Sequence, residues 1–295
     1  MYFNEKSVVF MDGQFVNATE SKVGLYNQTM HYGNGVFEGI RSYDTEDGVR
    51  IFKAREHFDR LHHSAKVMGI KLNYSSEELE VITYQLLEKN GLRNAYIRPL
   101  VYMGDNMSLV TSDNAHVVIM VWKWGNYLGE DMLRVMLSSY QRPNPKSCHV
   151  EAKVVGHYTN SILATNEAKQ NGFDEALLTD MHGYVAEGPG ANFFIEKNGV
   201  LLTAPLGNIL AGITRETVFE IAKELDVEVE ERLFTPEDIY SADAAFFCGT
   251  AAEVVGIKQF NNHVFTIDWE ETNSSMIQRK YKRRVAHNEY QNVYL

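Results

Sequence analysis

The chain has 295 residues, 44% of them apolar and 23% charged, which suits a globular protein of two domains or one large one. A formal net charge of -11 argues against binding nucleic acid through phosphate neutralisation, although it does not constrain a single anion pocket. The longest apolar runs, such as HVVIMVW, are strand-length and too short to span a membrane, and MYFNEKSVVFMDG lacks the apolar segment of a signal peptide; the expectation is a cytoplasmic protein.

In chain order, SVVFM, a turn at Asp12-Gly13 and QFV predict a hairpin. VFEGIRSY and VRIF predict a second pair of strands around DTEDG. AREHFDRLHHSAKVMG carries Phe58, Leu61, Ala65 and Met68 at helical spacing. Ser75 opens another helix with Glu78 placed for a capping box, and Asn90-Gly91 ends it. The strands AYIRPLVYM and HVVIMVW complete a small α+β domain over 1–122, and 123–132 reads as a linker.

A larger domain over 133–295 begins with LRVMLSSY, followed by a helix near 160–170 that stops at Asn171-Gly172. EALLTD, YVAEG, ANFFIEK and VLLTA predict strands, with Asn198-Gly199 as a hairpin turn. TRETVFEIAKEL predicts an amphipathic helix, and TPEDIYSAD a short one capped by Thr235 with Pro236 at its first position. The later strands cluster without regular βαβ alternation, so the fold class is α+β rather than a doubly wound sheet.

Several motifs fall away. Gly33, Gly35 and Gly39 lack the spacing of a dinucleotide fingerprint, and a strand follows them where a helix is needed. His57, His62 and His63 do not match a metal-binding helix face and are expected to be solvated. Cys148 and Cys248 are isolated and match no metal or redox spacing, so they read as reduced, partly buried thiols; no metal site is expected.

Lys153 is the better lead, lying among Val150, Ala152, Val154 and Val155. Local sequence leaves two readings open. One is a greasy-stemmed surface lysine; the other is a nucleophilic amine for a Schiff base. The second calls for pyridoxal phosphate and for three supports around it. Thr214 after Gly212 opens a helix suited to a phosphate dianion, Glu187 sits where an apolar strand breaks at glycines, and Tyr158 follows the lysine by five residues. A buried Glu187 would need a cationic partner, and a pyridinium qualifies.

The blocks HYGNGVFEGIRSY, REHFDRLHHSAK, AYIRPLVY, EAKVVGHYTNS, GYVAEGPGANFF, LAGITRETV and FFCGTAAEV, in that order, resemble the branched-chain amino-acid aminotransferases. These are class IV enzymes of the D-amino-acid-aminotransferase-like fold, with two domains and pyridoxal 5′-phosphate. The resemblance implies that Lys153 is the Schiff-base lysine and Glu187 the partner of the pyridinium. It implies that Tyr158 bonds the phenolic oxygen and that Arg60, Ile213, Thr214 and Thr250 hold the phosphate. Tyr96 and the N–H groups near Thr250 and Ala251 are similar to the α-carboxylate site. Tyr32, Phe37 and Tyr127 resemble the aromatic wall around the substrate side chain, and Arg98 resembles the arginine that meets glutamate's distal carboxylate.

The implied reaction is transfer of the amino group of leucine, isoleucine or valine to 2-oxoglutarate, by an enzyme that forms at least a homodimer. Alternatives on the same fold are a D-amino-acid or amine transaminase, an aminodeoxychorismate lyase, and a regulatory protein that does no chemistry. The chain departs from the family pattern in AKVVGHY around the lysine, in Ala211 before Gly212 and in GPGAN. None of these removes a catalytic group.

Overall fold

The computed structural model describes residues 2–125, 128 and 131–286, which fall into two compact units. The first takes in residues up to Gly125 together with Ala152–His157; the second includes the stretch ending at Glu151 and resumes over Tyr158–Val285.

In the first unit β1 (Val8–Met11) and β2 (Gln14–Asn17) form the expected hairpin. Asp12 and Gly13 take φ of 47° and 89°, the left-handed pair that such a turn requires. There follow α1 (Gln28–Tyr32), β3 (Gly35–Phe37), β4 (Ile40–Thr45), β5 (Gly48–Ile51), α2 (Ala54–Val67), α3 (Ser76–Lys89), β6 (Ala95–Met103) and β7 (Ala115–Trp122). They build an antiparallel sheet ordered β2-β1-β7-β6-β4-β5, with β3 also on β6. Phe58, Leu61 and Ala65 of α2 and Leu79 and Leu86 of α3 pack with Ile97, Val101 and Ile119 of the sheet in one core. The capping box of α3 is present: Glu78 N–H donates to Ser75 Oγ at 3.2 Å and Ser75 N–H to Glu78 Oε2 at 2.7 Å.

VFEGIRSY is two strands rather than one. Phe37 opposes Leu100 and Ile40 opposes Ile97 in a single register, but the ladder lapses at Glu38 and Gly39. The partner there includes Pro99, which has no N–H to donate, although its carbonyl still accepts from Glu38 N–H at 2.9 Å.

The second unit contains β8 (Leu133–Gln141), α4 (Tyr158–Gln170), β9 (Glu175–Thr179), β10 (Asn192–Lys197), β11 (Val200–Thr203), α5 (Ile213–Glu224), β12 (Val229–Glu231), α6 (Pro236–Ile239), β13 (Ala244–Gly249), β14 (Glu253–Phe260), β15 (His263–Val264) and α7 (Asn273–Ala286). Its sheet runs β12-β11-β10-β13-β14-β8-β9, with β15 on β14. The pairs β8–β9, β8–β14 and β11–β12 are parallel and the others antiparallel. The parallel neighbours β8–β9 and β11–β12 are joined through α4 and α5, because a parallel pair needs a crossover.

Two features of the second unit differ from the sequence expectation. YVAEG makes only the isolated bridges Thr179↔Val185 and Glu187↔Asn192, because the chain doubles back through Gly188-Pro189-Gly190. Helix α7 was not anticipated. Its start is capped from a distant strand: buried Glu196 accepts Asn273 N–H at 3.0 Å, Ser274 N–H at 2.7 Å and Ser274 Oγ–H at 2.6 Å. Among the described residues no helix is long and apolar enough to cross a membrane.

Candidate active site

In the first unit, Lys153 is held by its backbone. Its N–H donates to Ser64 Oγ at 3.0 Å, its carbonyl accepts from Phe37 N–H at 3.1 Å, and Val154 bridges Val36. Ala152 and Val154 point into the core, so the alternating chain turns Lys153 the other way. The side chain is half-buried rather than sunk in an apolar pocket, and its Nζ lies 5.0 Å from the centroid of the Phe37 ring. Arg98 meets the same ring, with Cζ 4.5 Å from the centroid. Aromatic faces attract such cations.

Arg98 Nη2 donates to Tyr96 Oη at 3.0 Å, while Arg98 Nε is buried without a hydrogen-bond partner among the described residues. Tyr96 is buried between Trp122 and Trp124, with ring centroids 5.1 and 4.5 Å away. Its hydroxyl occupies the space beside Gly39: a Cβ there would come within 2.1 Å of it. Gly39 therefore makes room for the Tyr96 hydroxyl.

Arg60 approaches from α2. Its Nε donates to Glu38 Oε1 at 2.7 Å and its Nη2 to Glu38 Oε2 at 2.9 Å. His57 Nδ1 lies 2.8 Å from Glu38 Oε2. Both Glu38 and His57 are fully enclosed, so the expectation of a solvated helix histidine is corrected for His57. Leu61 and Ala65 put α2 against the sheet, and His57 shares that inward side. His62 is partly buried and His63 exposed. Burial pushes Glu38 up, but the Arg60 charge and the His57 hydrogen bond outweigh it and hold the carboxyl below the usual range. Burial likewise dominates at His57 and lowers it, so the ring is neutral, with Nδ1 carrying the hydrogen that the carboxylate accepts.

In the second unit, Glu187 is buried and surrounded by donors. Asn192 Nδ2 donates to Oε2 at 3.0 Å, Leu210 N–H donates to Oε1 at 3.2 Å, and Arg142 Nε stands 2.9 Å from Oε1. Arg142 acts there by charge, since its Nε–H is not aligned for a hydrogen bond. The cationic partner that a buried Glu187 required is thus supplied at least in part by the protein.

Asn192 Nδ2 also donates to the Leu210 carbonyl at 2.9 Å, tying Glu187 to the loop that enters α5. That helix begins at Gly212, which has no side chain to cap it, so the N–H groups of Ile213 and Thr214 point ahead of the helix. The register Asn192↔Cys248 brings the turn with Thr250 and Ala251 alongside. Ser161 Oγ donates to the Pro189 carbonyl at 2.6 Å, which sets the first turn of α4 against the Glu187 turn; Tyr158, three residues earlier, shares that helix face.

Lys153, Arg60, Phe37, Tyr96 and Arg98 thus gather in the first unit, and Tyr158, Glu187, Ile213, Thr214, Thr250 and Ala251 in the second. Tyr32 is exposed at the end of α1, its hydroxyl donating to the Met107 carbonyl at 3.2 Å. Tyr127 lies outside the described residues. Glu38, Arg142 and Asn192 went unremarked in the sequence. A signal for two of them was present, since Glu38 and Asn192 stand inside the quoted blocks.

A family model for amino-transferase class IV matches residues 35–260. This chain is a class IV aminotransferase. The class IV aminotransferase is 42% identical over 258 residues to the branched-chain-amino-acid aminotransferase of Pseudomonas aeruginosa, covering 85% of this chain and 84% of the relative. The corresponding protein of Escherichia coli K12 is 38% identical over the same shares. Among solved structures, the branched-chain aminotransferase from Thermoproteus uzoniensis with norvaline superposes at a TM-score of 0.91, with 38% identity and coverage of 95% of this chain and 94% of that one. The branched-chain amino acid aminotransferase from Thermobaculum terrenum, in its PLP-bound holo form, superposes at 0.87, with 31% identity and coverage of 96% and 95%.

The donor sets fit pyridoxal phosphate. Glu187 is an enclosed carboxyl group beside the Arg142 guanidinium, and a carboxylate has lone pairs for a further donor beyond those it already accepts. The uncapped start of α5 suits a phosphate.

Proposed function

We propose that this class IV aminotransferase uses pyridoxal 5′-phosphate to transfer the amino group of L-leucine, L-isoleucine or L-valine to 2-oxoglutarate, yielding branched-chain 2-oxo acids and L-glutamate. The observation that carries the substrate reading is the Phe37–Arg98 pair beside Lys153: an apolar ring next to an arginine with a buried donor to spare. Such a surface can accept an aliphatic side chain in one half-reaction and a distal carboxylate in the other.

When bound, the cofactor acts as an electron sink that makes the substrate Cα–H acidic. Lys153 Nζ would be the amine that anchors the cofactor and the base that moves the substrate's Cα proton. The Glu187 carboxylate, fixed by Arg142 and Asn192, would accept the hydrogen bond of a protonated ring nitrogen. Tyr158 would address the phenolic oxygen; Arg60, and separately the N–H groups of Ile213, Thr214 and Thr250, would each be donors to the phosphate. Tyr96, and separately the N–H groups near Thr250 and Ala251, would be donors to the α-carboxylate. Tyr32 and Phe37, and by the resemblance Tyr127, would face the substrate side chain, and Arg98 would meet the distal carboxylate.

A homodimer accompanies this reading. It is supported by exposed Leu25, Tyr26, Met30, Leu109 and Val110 on two laced segments, where Gln28 Nε2 donates to the Ser108 carbonyl at 2.8 Å and to that of Val110 at 3.1 Å. Buried apolar area is the usual source of such association.

The experiment is the visible absorption spectrum of the protein with excess cofactor, before and after L-leucine. Conversion of the bound aldehyde band to the amine form, abolished in Lys153→Ala, supports the proposal. A band that ignores leucine but answers D-alanine or another amine assigns the same fold to a different substrate. No band at all favours the non-catalytic alternative.

A further inference from the structure

Glu38 has no contact with bulk water and carries a charge that the steps above do not use. A buried ion pair is weak evidence for stability, because desolvation offsets much of the Coulombic gain. Its geometry suggests another role. Glu38 grips Arg60 through two parallel hydrogen bonds, Nε to Oε1 and Nη2 to Oε2, the fork arrangement that fixes the guanidinium plane.

The carboxylate is in turn fixed from two sides, and the residue's backbone from a third. His57 Nδ1 donates to Oε2 at 2.8 Å, Gly39 N–H reaches Oε2 at 3.3 Å, and Glu38's own N–H is tied to Pro99. The next residue back, Phe37, donates its N–H to the Lys153 carbonyl, so one short strand segment aligns both the clamp and the lysine.

We infer that Glu38, braced by His57, is the positioning residue that holds the Arg60 guanidinium in the orientation with which it takes the cofactor's phosphate. The inference rests on the reading of Arg60 as a phosphate residue. A long side chain left to itself would lose rotamer entropy when phosphate binds; clamped by Glu38, it has lost that freedom already on folding. The opposing effect is electrostatic, since Glu38 offsets the Arg60 charge and repels a phosphate. The two effects give opposite signs when the carboxylate is neutralised, so measurement separates them.

The test uses the full chain freed of cofactor, titrated by intrinsic fluorescence with pyridoxal phosphate and, separately, with pyridoxal, which has no phosphate. Glu38→Gln is expected to weaken pyridoxal phosphate by roughly ten- to hundredfold while pyridoxal stays within about threefold. His57→Asn, which keeps a donor near the Nδ1 position, should retain most of the affinity for both. Tighter binding of pyridoxal phosphate by Glu38→Gln overturns the inference, because the carboxylate would then be only an opposing charge. Equal loss for both aldehydes overturns it too, as a merely structural effect. Should Glu38→Gln fail to fold, Glu38→Asp keeps the charge but draws it back from Arg60, and the same phosphate-selective loss is required. Arg60→Ala separates the two layers: no phosphate-selective loss there sinks the assignment of Arg60, whereas selective loss there but not in the Glu38 variants sinks only the role of Glu38.

Discussion

Arg98 has one nitrogen committed to Tyr96 Oη and another, Nε, buried without a partner among the described residues. An unpartnered guanidinium donor is costly unless a ligand completes it. Replacement by methionine keeps much of the stem against Phe37 but removes the charge. The expected result is a fall in kcat/KM for 2-oxoglutarate of about 10- to 100-fold, with leucine within about threefold. Equal loss for both would show that Arg98 only packs. At Glu187 the stake is stability as well as chemistry, because its removal leaves Arg142 buried beside a neutral group. Glu187→Gln is expected to lower the free energy of unfolding by about 3 kcal/mol, read from urea denaturation. A change below about 0.5 kcal/mol would mean that Arg142 finds another partner or water.

At the scale of elements, a close backbone approach in the first unit joins the end of α1 to the Lys153 segment. Gly156 N–H donates to the Gly33 carbonyl at 3.1 Å, and a Cβ on Gly33 would stand 2.6 Å from Gly156 Cα. Gly33 also has φ of 69°, where an L side chain is strained. Gly33→Ala must push the 153–156 segment away, and because misplacement of order 1 Å costs about 100-fold in rate, activity is expected to fall far more than stability. Comparing turnover with the thermal midpoint checks this.

Glu175, first residue of β9, gives an opposite kind of element-level test. Burial pushes its carboxyl up, with partial relief from Ala176 N–H and Thr165 Oγ1, which donate at 2.9 and 3.0 Å. A raised pKa in the fold means a stabilising contribution present below the unfolded value near 4.5 and lost as pH rises through the folded one. Glu175→Gln is therefore expected to raise the thermal midpoint at pH 8 but not at pH 4. A variant less stable at pH 8 would show that the charged form is needed.

For the whole molecule, Glu38 and His57 set a direction for acid stability. His57 resists protonation in the fold because it is buried, so as pH falls through about 6.5 the unfolded chain takes up a proton that the folded one refuses. Glu38 adds a contribution present above about 4.5 and lost at lower pH, since its folded pKa is depressed. Both make stability fall on acidification. The loss between pH 7 and pH 5 should be smaller in His57→Asn, measured by thermal denaturation; an identical loss would assign it to other groups. Assembly is tested at the same scale. Leu109 is 85% exposed and Leu25 76% exposed, and charged residues there, Leu25→Glu with Leu109→Glu, should convert a dimer to a monomer in sedimentation. A wild-type monomer would remove that part of the proposal.

What the sequence determined by itself is what depends on near neighbours and on order along the chain. The turn at Asp12-Gly13, the Ser75–Glu78 capping box and the apolar stripe of α2 each involve residues a few positions apart, where spacing alone specifies geometry. The ordered blocks around Lys153, Glu187 and Gly212 likewise indicated the family, because that signal is the string of residues itself.

Tertiary structure decided the rest. His57 and Arg60 reach Glu38 across 19 and 22 residues, and Asn273 and Ser274 reach Glu196 across 77 and 78. No local pattern marks such partners. A buried and a solvated histidine look alike in a helix, and a strand broken opposite Pro99 looks continuous until its neighbour is known. Burial and long-range charge pairing decide which of these side chains is ionised, oriented or ready to bind, and both arise only when distant segments of the chain pack together.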